Sequence, residues 1–394
     1  MGRGPAGRGG QPGGRGRAVL RPPAGGPGTA GDGFLNGHAV VVGAGVFGLS
    51  VARELAGRGW TVRLVDAEGP GVRGPSASHT RILRHAHGAD DYYPALARRA
   101  AAGWAELERE TGRRLVTPIG VLIFPGFDGW LHDSVDRLRR LNIPLEIWPS
   151  RTVADRFPGF AANGECALFE PDGAVLLAKE AVLALARSAV DRGVDMVRAT
   201  ARAVAGRAVV AGRTVPADRT VWTVGPELSS VFPGFASVRR VRQDSWYVGE
   251  RGPWTVPDAL PAWLDRGARY YGVPSIAGQG VKVVPDVETP LDAPTGVPAS
   301  GLPADVRAYL RARLPDLAEA PVLRRERRHY ALTRNEDFLL ARHPVDDTVW
   351  VVGGDSGHGF KHGPAWGEYV CDVIEGRRPV DRRFTHHLTR GSVA

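Results

Sequence analysis

Between His38 and Asp66 the chain runs through a pattern that few folds accommodate. His38-Ala-Val-Val-Val-Gly reads as a buried strand, Gly43-Ala44-Gly45-Val46-Phe47-Gly48 follows at once, an amphipathic stretch runs from Leu49 to Arg58, and a second strand from Thr61 to Val65 ends at Asp66. Strand, glycine turn, helix and strand make a βαβ unit. The three glycines serve different mechanical ends, since Gly43 permits the tight turn, Gly45 lets backbone approach a pyrophosphate, and Gly48 lets the helix pack closely on the strand. The helix N-terminus then faces the phosphates, and Asp66, 23 residues beyond Gly43, can accept hydrogen bonds from a ribose. The unit therefore reads as a site for the ADP half of a dinucleotide, as compatible with NAD as with FAD.

The 394-residue chain is long enough for one large or two interleaved domains, and 43% apolar content suits a globular protein. Its apolar runs, such as Ala39 to Val42 and Val349 to Val352, are short, far below the ~20 residues a membrane helix needs. Two cysteines, Cys166 and Cys371, make neither a disulfide framework nor a metal cluster, so a cytoplasmic location is expected. The net charge of +9 is unevenly spread: residues 1–36 hold five arginines and one acid, Asp32. That Gly/Pro/Arg tail lacks the apolar content to fold and is expected to be disordered. It has no signal-peptide core. Its Arg-Gly repeats can touch RNA weakly, but an incidental extension explains them better, and nucleic acid is not an expected partner.

Only three of the 51 basic residues are lysines, Lys179, Lys282 and Lys361; the other 48 are arginine. Arginine replaces lysine here wherever a generic surface cation suffices. A retained lysine is notable, because it alone can lose its proton or act as a compact point charge. Farther along, helical periodicity spans Asp91 to Arg113 and Ala178 to Arg192, and strands are read at Val116 to Phe124, Val194 to Val204, Ala208 to Val215 and Thr220 to Val224. The region Val238 to Val284 is mostly strand-like. Near the end, Thr348 to Gly354 reads as a strand, Asp355 to Gly359 as a glycine-rich turn and Pro364 to Ile374 as a helix.

Taken together, several segments resemble the FAD-dependent amino acid oxidase superfamily, and within it the sarcosine oxidase and N-methyltryptophan oxidase branch. They are His38 to Asp66; Ser78-His-Thr-Arg-Ile-Leu-Arg-His-Ala-His-Gly88; Ile119-Gly-Val-Leu-Ile-Phe124; Tyr270-Tyr-Gly-Val-Pro-Ser275 with Gly280-Val-Lys282; and Ser356-Gly-His-Gly-Phe-Lys361. The resemblance implies an α/β fold, a Rossmann-type FAD-binding domain (residues 37–88, 165–230 and 328–384) with an inserted mixed or antiparallel-sheet substrate domain (89–164 and 231–327). It matches Arg84 and Lys361 to positions that clamp a substrate carboxylate, which charge-assisted hydrogen bonds from two cations achieve. Lys282 matches a lysine that promotes oxygen reduction, and Tyr271 and Tyr330 match aromatic positions of the substrate cavity. Along the cofactor it implies Gly43, Gly45, Val46, Phe47, Gly48, Asp66, Ala67, Ser78, Thr80, Arg81, Ala203, Val204, Gly225, Gly354, Ser356, Gly357, His358, Gly359 and Lys361, with Arg198 to Val204 reading the adenine and the helix after Gly359 favouring an anionic reduced flavin.

Departures from the pattern carry expectations too. Arg328 stands where the branch has the cysteine that tethers flavin, so FAD is expected to bind noncovalently. Asp286 replaces an active-site histidine and Asp355 an apolar residue; extra carboxylates there favour a more basic substrate or lower the flavin potential. His79, His85, His87, His358 and His362 show no ligand spacing on one helix and no visible carboxylate partner, and no metal is assigned. The expected activity is removal of a hydride from the α-carbon of a secondary, cyclic or otherwise modified amino acid, with O2 as acceptor, in a monomer or homodimer. A flavin dehydrogenase or desaturase that tailors a natural product, and an RNA-binding protein using the tail, are the alternatives.

Overall fold

The protein is described by a computed structural model that covers Met1 and residues 37–233, 238–249, 254–255, 260–291 and 301–385. The expected disorder of the 1–36 tail therefore lies outside the described residues. The glycine-turn unit forms as read: strand His38–Val42, helix Val46–Gly57 and strand Thr61–Asp66, the two strands parallel. They sit inside a six-stranded sheet. Arg219–Trp222 and Val349–Gly353 extend it on one side, Asp195–Arg198 closes the other, and Leu339–Arg342 adds an antiparallel edge. The central strands are buried on both faces, which is why they are runs of valine rather than alternating sequences. This is a Rossmann-type sheet.

Helix Gly363–Ile374 lies against Val46–Gly57. The approach is close enough that a Cβ on Gly367 would fall 2.8 Å from the Ser50 backbone carbon. Helix Tyr92–Thr111 buries Tyr93, Leu96, Trp104 and Leu107 in the same core, so it packs with the dinucleotide unit although its sequence neighbours belong elsewhere.

A second, nine-stranded sheet is mixed. Long strands Val238–Val248 and Val322–Thr333 pair antiparallel, followed by Val281–Pro285, Tyr270–Val273 and Ala262–Asp265, with Val121–Phe124 parallel to the last. Ala167–Glu170 joins this sheet through Val121–Phe124 rather than the first. Two stretches read as single strands are broken. Val116 to Phe124 splits at Pro118 and Gly120 (φ +73°), since proline lacks a donor and this glycine adopts a left-handed conformation. Val194 to Val204 divides into Asp195–Arg198 and Ala201–Val204, the latter in a separate three-stranded sheet. Among the described residues no helix is long and apolar enough to cross a membrane.

Candidate active site

The glycine turn is built for close approach. Gly43 has φ +108°, and a Cβ there would stand 2.6 Å from the Thr223 carbonyl oxygen; one on Gly48 would stand 1.9 Å from the Gly43 oxygen. By contrast, a Cβ on Gly45 would meet only the Ser76 hydroxyl, at 3.4 Å. The space beside Gly45 is thus open to a ligand, while Gly48 is spent on helix–strand packing. The helix it opens has no side-chain cap and no acid in its first turn, leaving a positive helix end suited to phosphates. Gly48→Ala is expected to yield protein that cannot hold flavin, with the 450 nm absorbance lost after gel filtration, whereas Gly45→Ala folds and binds it more weakly.

At the end of the second strand, Asp66 is already engaged. One carboxylate oxygen accepts from the Ala44 N–H (2.8 Å), the other from Glu68 (2.9 Å) and Gly69 (2.7 Å). Asp66 therefore ties the glycine turn to the loop containing Ala67, and its remaining lone pairs are those available to a ribose. The Asp66 carbonyl accepts from Ala199 N–H, which brings the start of the predicted adenine-reading segment alongside. The Phe47 side chain turns into the core against Phe338 and Trp366, with ring centroids 5.4 and 5.9 Å apart.

One cavity of about 260 Å³ gathers the rest. Its wall includes all six residues read as catalytic, Arg84, Tyr271, Lys282, Asp286, Tyr330 and Lys361, together with Val46, Ser78, Thr80, Arg81, Ser356, Gly357 and His358. Ala203, Val204, Gly225, Gly354 and Gly359 do not line it. Gly354 instead packs, since a Cβ there would lie 2.4 Å from Thr333 Cγ2, and Val204 is exposed. Neither Cys166, which is exposed, nor the buried Cys371 reaches the cavity, whereas Arg328 does.

The two cations read as a carboxylate clamp arrive from different elements. Arg84 follows strand Thr80–Leu83, lies over the Trp130 ring at 5.5 Å and donates to the Ala86 carbonyl. Burial lowers its pKa to about 10, with the Glu170 carboxylate acting in the opposite sense. Glu170, 0% exposed, is the anchor of that loop: it accepts from the His85 N–H (2.6 Å), the Ala86 N–H (2.9 Å) and the His85 ring (3.1 Å). The reading that no histidine has a carboxylate partner is corrected here. Lys361, in the turn Phe360–His362, donates to the His358 carbonyl at 3.0 Å and is held by the Trp104 indole, which bonds its carbonyl at 2.8 Å. Burial, then Arg84, pushes the Lys361 amine well below its ordinary pKa. An ammonium so desolvated gains by receiving a carboxylate.

Lys282 enters from the middle of strand Val281–Pro285, 6% exposed. It donates at long range to Ser78 Oγ (3.4 Å) and the Thr80 carbonyl (3.5 Å). Ser78 in turn donates to Glu326 at 3.2 Å, and the Tyr247 hydroxyl shares that carboxylate at 3.3 Å. Burial, then the Arg81 charge, lowers the Lys282 amine to about 7. Tyr271 donates to Gln243 at 2.7 Å. Asp355 accepts from Ala331 N–H at 3.2 Å, and burial raises it to about 6. Glu326, Gln243 and Glu170 were not anticipated.

The histidines also converge. His87, His358 and His362 come from two segments and place ring nitrogens within 4.8 Å of one another, an arrangement that spacing on a single helix does not reveal.

Comparison with known proteins gives the family and the fold. The sequence profile described as FAD dependent oxidoreductase matches residues 38–373. Monomeric sarcosine oxidase of Bacillus sp. (strain B-0618) is 27% identical over 361 residues, covering 85% of this chain and 91% of that protein. N-methyl-L-tryptophan oxidase of Yersinia pestis (strain Pestoides F) is 28% identical over 365 residues, covering 87% and 96%. Among solved structures, L-proline dehydrogenase from P. horikoshii superposes with a TM-score of 0.76 at 18% identity, over 86% of this chain and 94% of that one. Glycine oxidase from Geobacillus kaustophilus gives 0.75 at 19% identity, over 90% and 99%. The structural likenesses establish the fold.

Proposed function

The chain belongs to the FAD dependent oxidoreductase family, and from that premise we propose that it oxidises the C–N bond of a secondary, cyclic or otherwise N-modified amino acid to an imine, with O2 reduced to H2O2. Held beside Gly45 and the open helix end at Val46, FAD would supply the redox chemistry, a two-electron oxidation at the substrate α-carbon balanced by reduction of oxygen. What this chain adds is position. Arg84 and Lys361 form one cationic side of the cavity, suited to a carboxylate, so the α-C–H of a bound amino acid is oriented rather than free to tumble. Tyr271 and Tyr330 supply apolar walls; burial raises both phenols, so they stay neutral donors at physiological pH. The substrate reacts as its neutral amine. Lys282, apart from the clamp, is the group assigned to oxygen.

The observation that carries this reading is the presence of both cationic groups and the lysine in one cavity bordered by the glycine-turn residue Val46. Two relatives are by name oxidases of N-methylated amino acids, in line with that substrate class. A peroxide-coupled screen of N-methyl, cyclic and aromatic amino acids tests it, with the matching amines that lack a carboxylate as controls. Turnover that is indifferent to the carboxylate would sink the clamp assignment; substrate oxidation with an artificial acceptor but no peroxide would favour a dehydrogenase.

Attachment of the cofactor gives a separate expectation. With arginine rather than cysteine at 328 and no thiol on the cavity wall, acid precipitation of the yellow protein is expected to release all of its flavin into the supernatant. Colour retained in the pellet would contradict noncovalent binding.

A further inference from the structure

Three imidazoles to which the proposed oxidation assigns no chemical step converge at the cavity, one of them, His358, on its wall. His87 lies in the loop beyond Arg84, His358 in the glycine turn and His362 at the end of the turn Phe360–His362. One ring nitrogen of each lies within 4.8 Å of the others. The fold orients two of the rings. His87 Nδ1 stands 2.7 Å from the His85 carbonyl oxygen and His358 Nε2 stands 3.0 Å from the Glu336 carbonyl oxygen. A carbonyl only accepts, so each of those nitrogens carries the ring proton and the lone pair falls on the opposite one. Those opposite nitrogens, His87 Nε2 and His358 Nδ1, are buried without a hydrogen-bond partner among the described residues, as are both ring nitrogens of His362, which is 0% exposed.

Unpaired buried nitrogens are costly, and a cluster of them calls for a ligand that accepts lone pairs. Neutral His362 carries its proton on one of its two nitrogens, so each ring offers one lone pair, and among the described residues no group donates to those of His87 and His358. Anchoring one ring nitrogen to a carbonyl while the other is left with an unpaired lone pair is the arrangement that orients metal-ligating histidines. We propose that His87, His358 and His362 bind one divalent transition-metal ion of the zinc, cobalt or nickel class. Three imidazoles and no oxygen ligand suit such ions and not magnesium or calcium. The site takes three protein ligands and leaves further positions to water. Arg84 and Lys361 lie close enough to act electrostatically on these rings, and their positive charge moderates the affinity.

The test uses the FAD-loaded enzyme, freed of metal with a chelator, desalted and titrated with Co2+. One equivalent is expected to bind with a d–d absorption band at wavelengths beyond the flavin bands. His87→Phe and His362→Phe are each expected to weaken binding roughly a hundredfold or more and to abolish the band. A His386→Ala/His387→Ala variant, which removes an adjacent histidine pair near the C-terminus, is expected to keep both. Absence of stoichiometric Co2+ binding to the unaltered holoenzyme overturns the proposal, as does a band that survives both phenylalanine variants or disappears with the 386/387 pair. If one phenylalanine variant loses its flavin, the other decides.

Discussion

Lys282→Met is expected to leave anaerobic reduction of the enzyme by its substrate within a few-fold of the unaltered rate, while slowing reoxidation by air by about 10² to 10³-fold, the range seen when one well-placed charge-stabilising donor is removed. The Lys282 amine is buried on the second sheet, bonded only at 3.4 and 3.5 Å to Ser78 and Thr80, and remote in sequence from both clamp cations. Stopped-flow measurement of the two half-reactions separates the roles. Reoxidation unchanged in the variant removes lysine from the oxygen step.

The same amine fixes a pH dependence. Burial and Arg81 lower its pKa to about 7, so below that value the stabilising ammonium is present and above it the ammonium is lost. Reoxidation should therefore slow as pH rises through an apparent pKa at or above 7, since an anionic cofactor nearby can only raise it. In Lys282→Met that limb should vanish.

Arg84→Met is expected to lower kcat/KM for a carboxylated substrate by about 3 kcal/mol, roughly a hundredfold, the scale of a lost hydrogen bond to a charged group in a buried site. The corresponding amine without a carboxylate should lose less than tenfold. Because Arg84 also holds the Ala86 carbonyl, the variant needs a check that flavin content and unfolding midpoint are retained. A loss that is equal for both substrates would mean that Arg84 organises the loop rather than the ligand.

What could be read from the amino acids alone follows from how local each signal is. The glycine turn is legible because its constraints act within a few residues: the clash that excludes a side chain at Gly48 is with Gly43. The six cavity side chains were reachable through motif resemblance, and they do line one cavity. The supporting carboxylates were not. Glu170 meets His85 across 85 positions and Glu326 meets Ser78 across 248, and neither sits in any short pattern. The histidine cluster escapes notice for the same reason: spacing along one helix is the usual signal, whereas these rings are brought together by a loop and a turn far apart in the chain. Helix Tyr92–Thr111, grouped by sequence with the substrate-domain segments, buries its apolar face with the dinucleotide unit, and the Phe47 ring packs on Phe338, neither of which any short pattern signals.

The scarcity of lysine has a practical side. Of three side-chain amines, Lys282 and Lys361 are 6% and 3% exposed, and only Lys179, at the start of helix Ala178–Asp191, faces solvent. Among the lysines, amine-directed reagents should therefore reach only Lys179 in the native enzyme, so that dyes can be coupled without touching the amines of the cavity. Peptide mapping of the labelled protein, before and after unfolding, would count the amines that become reactive.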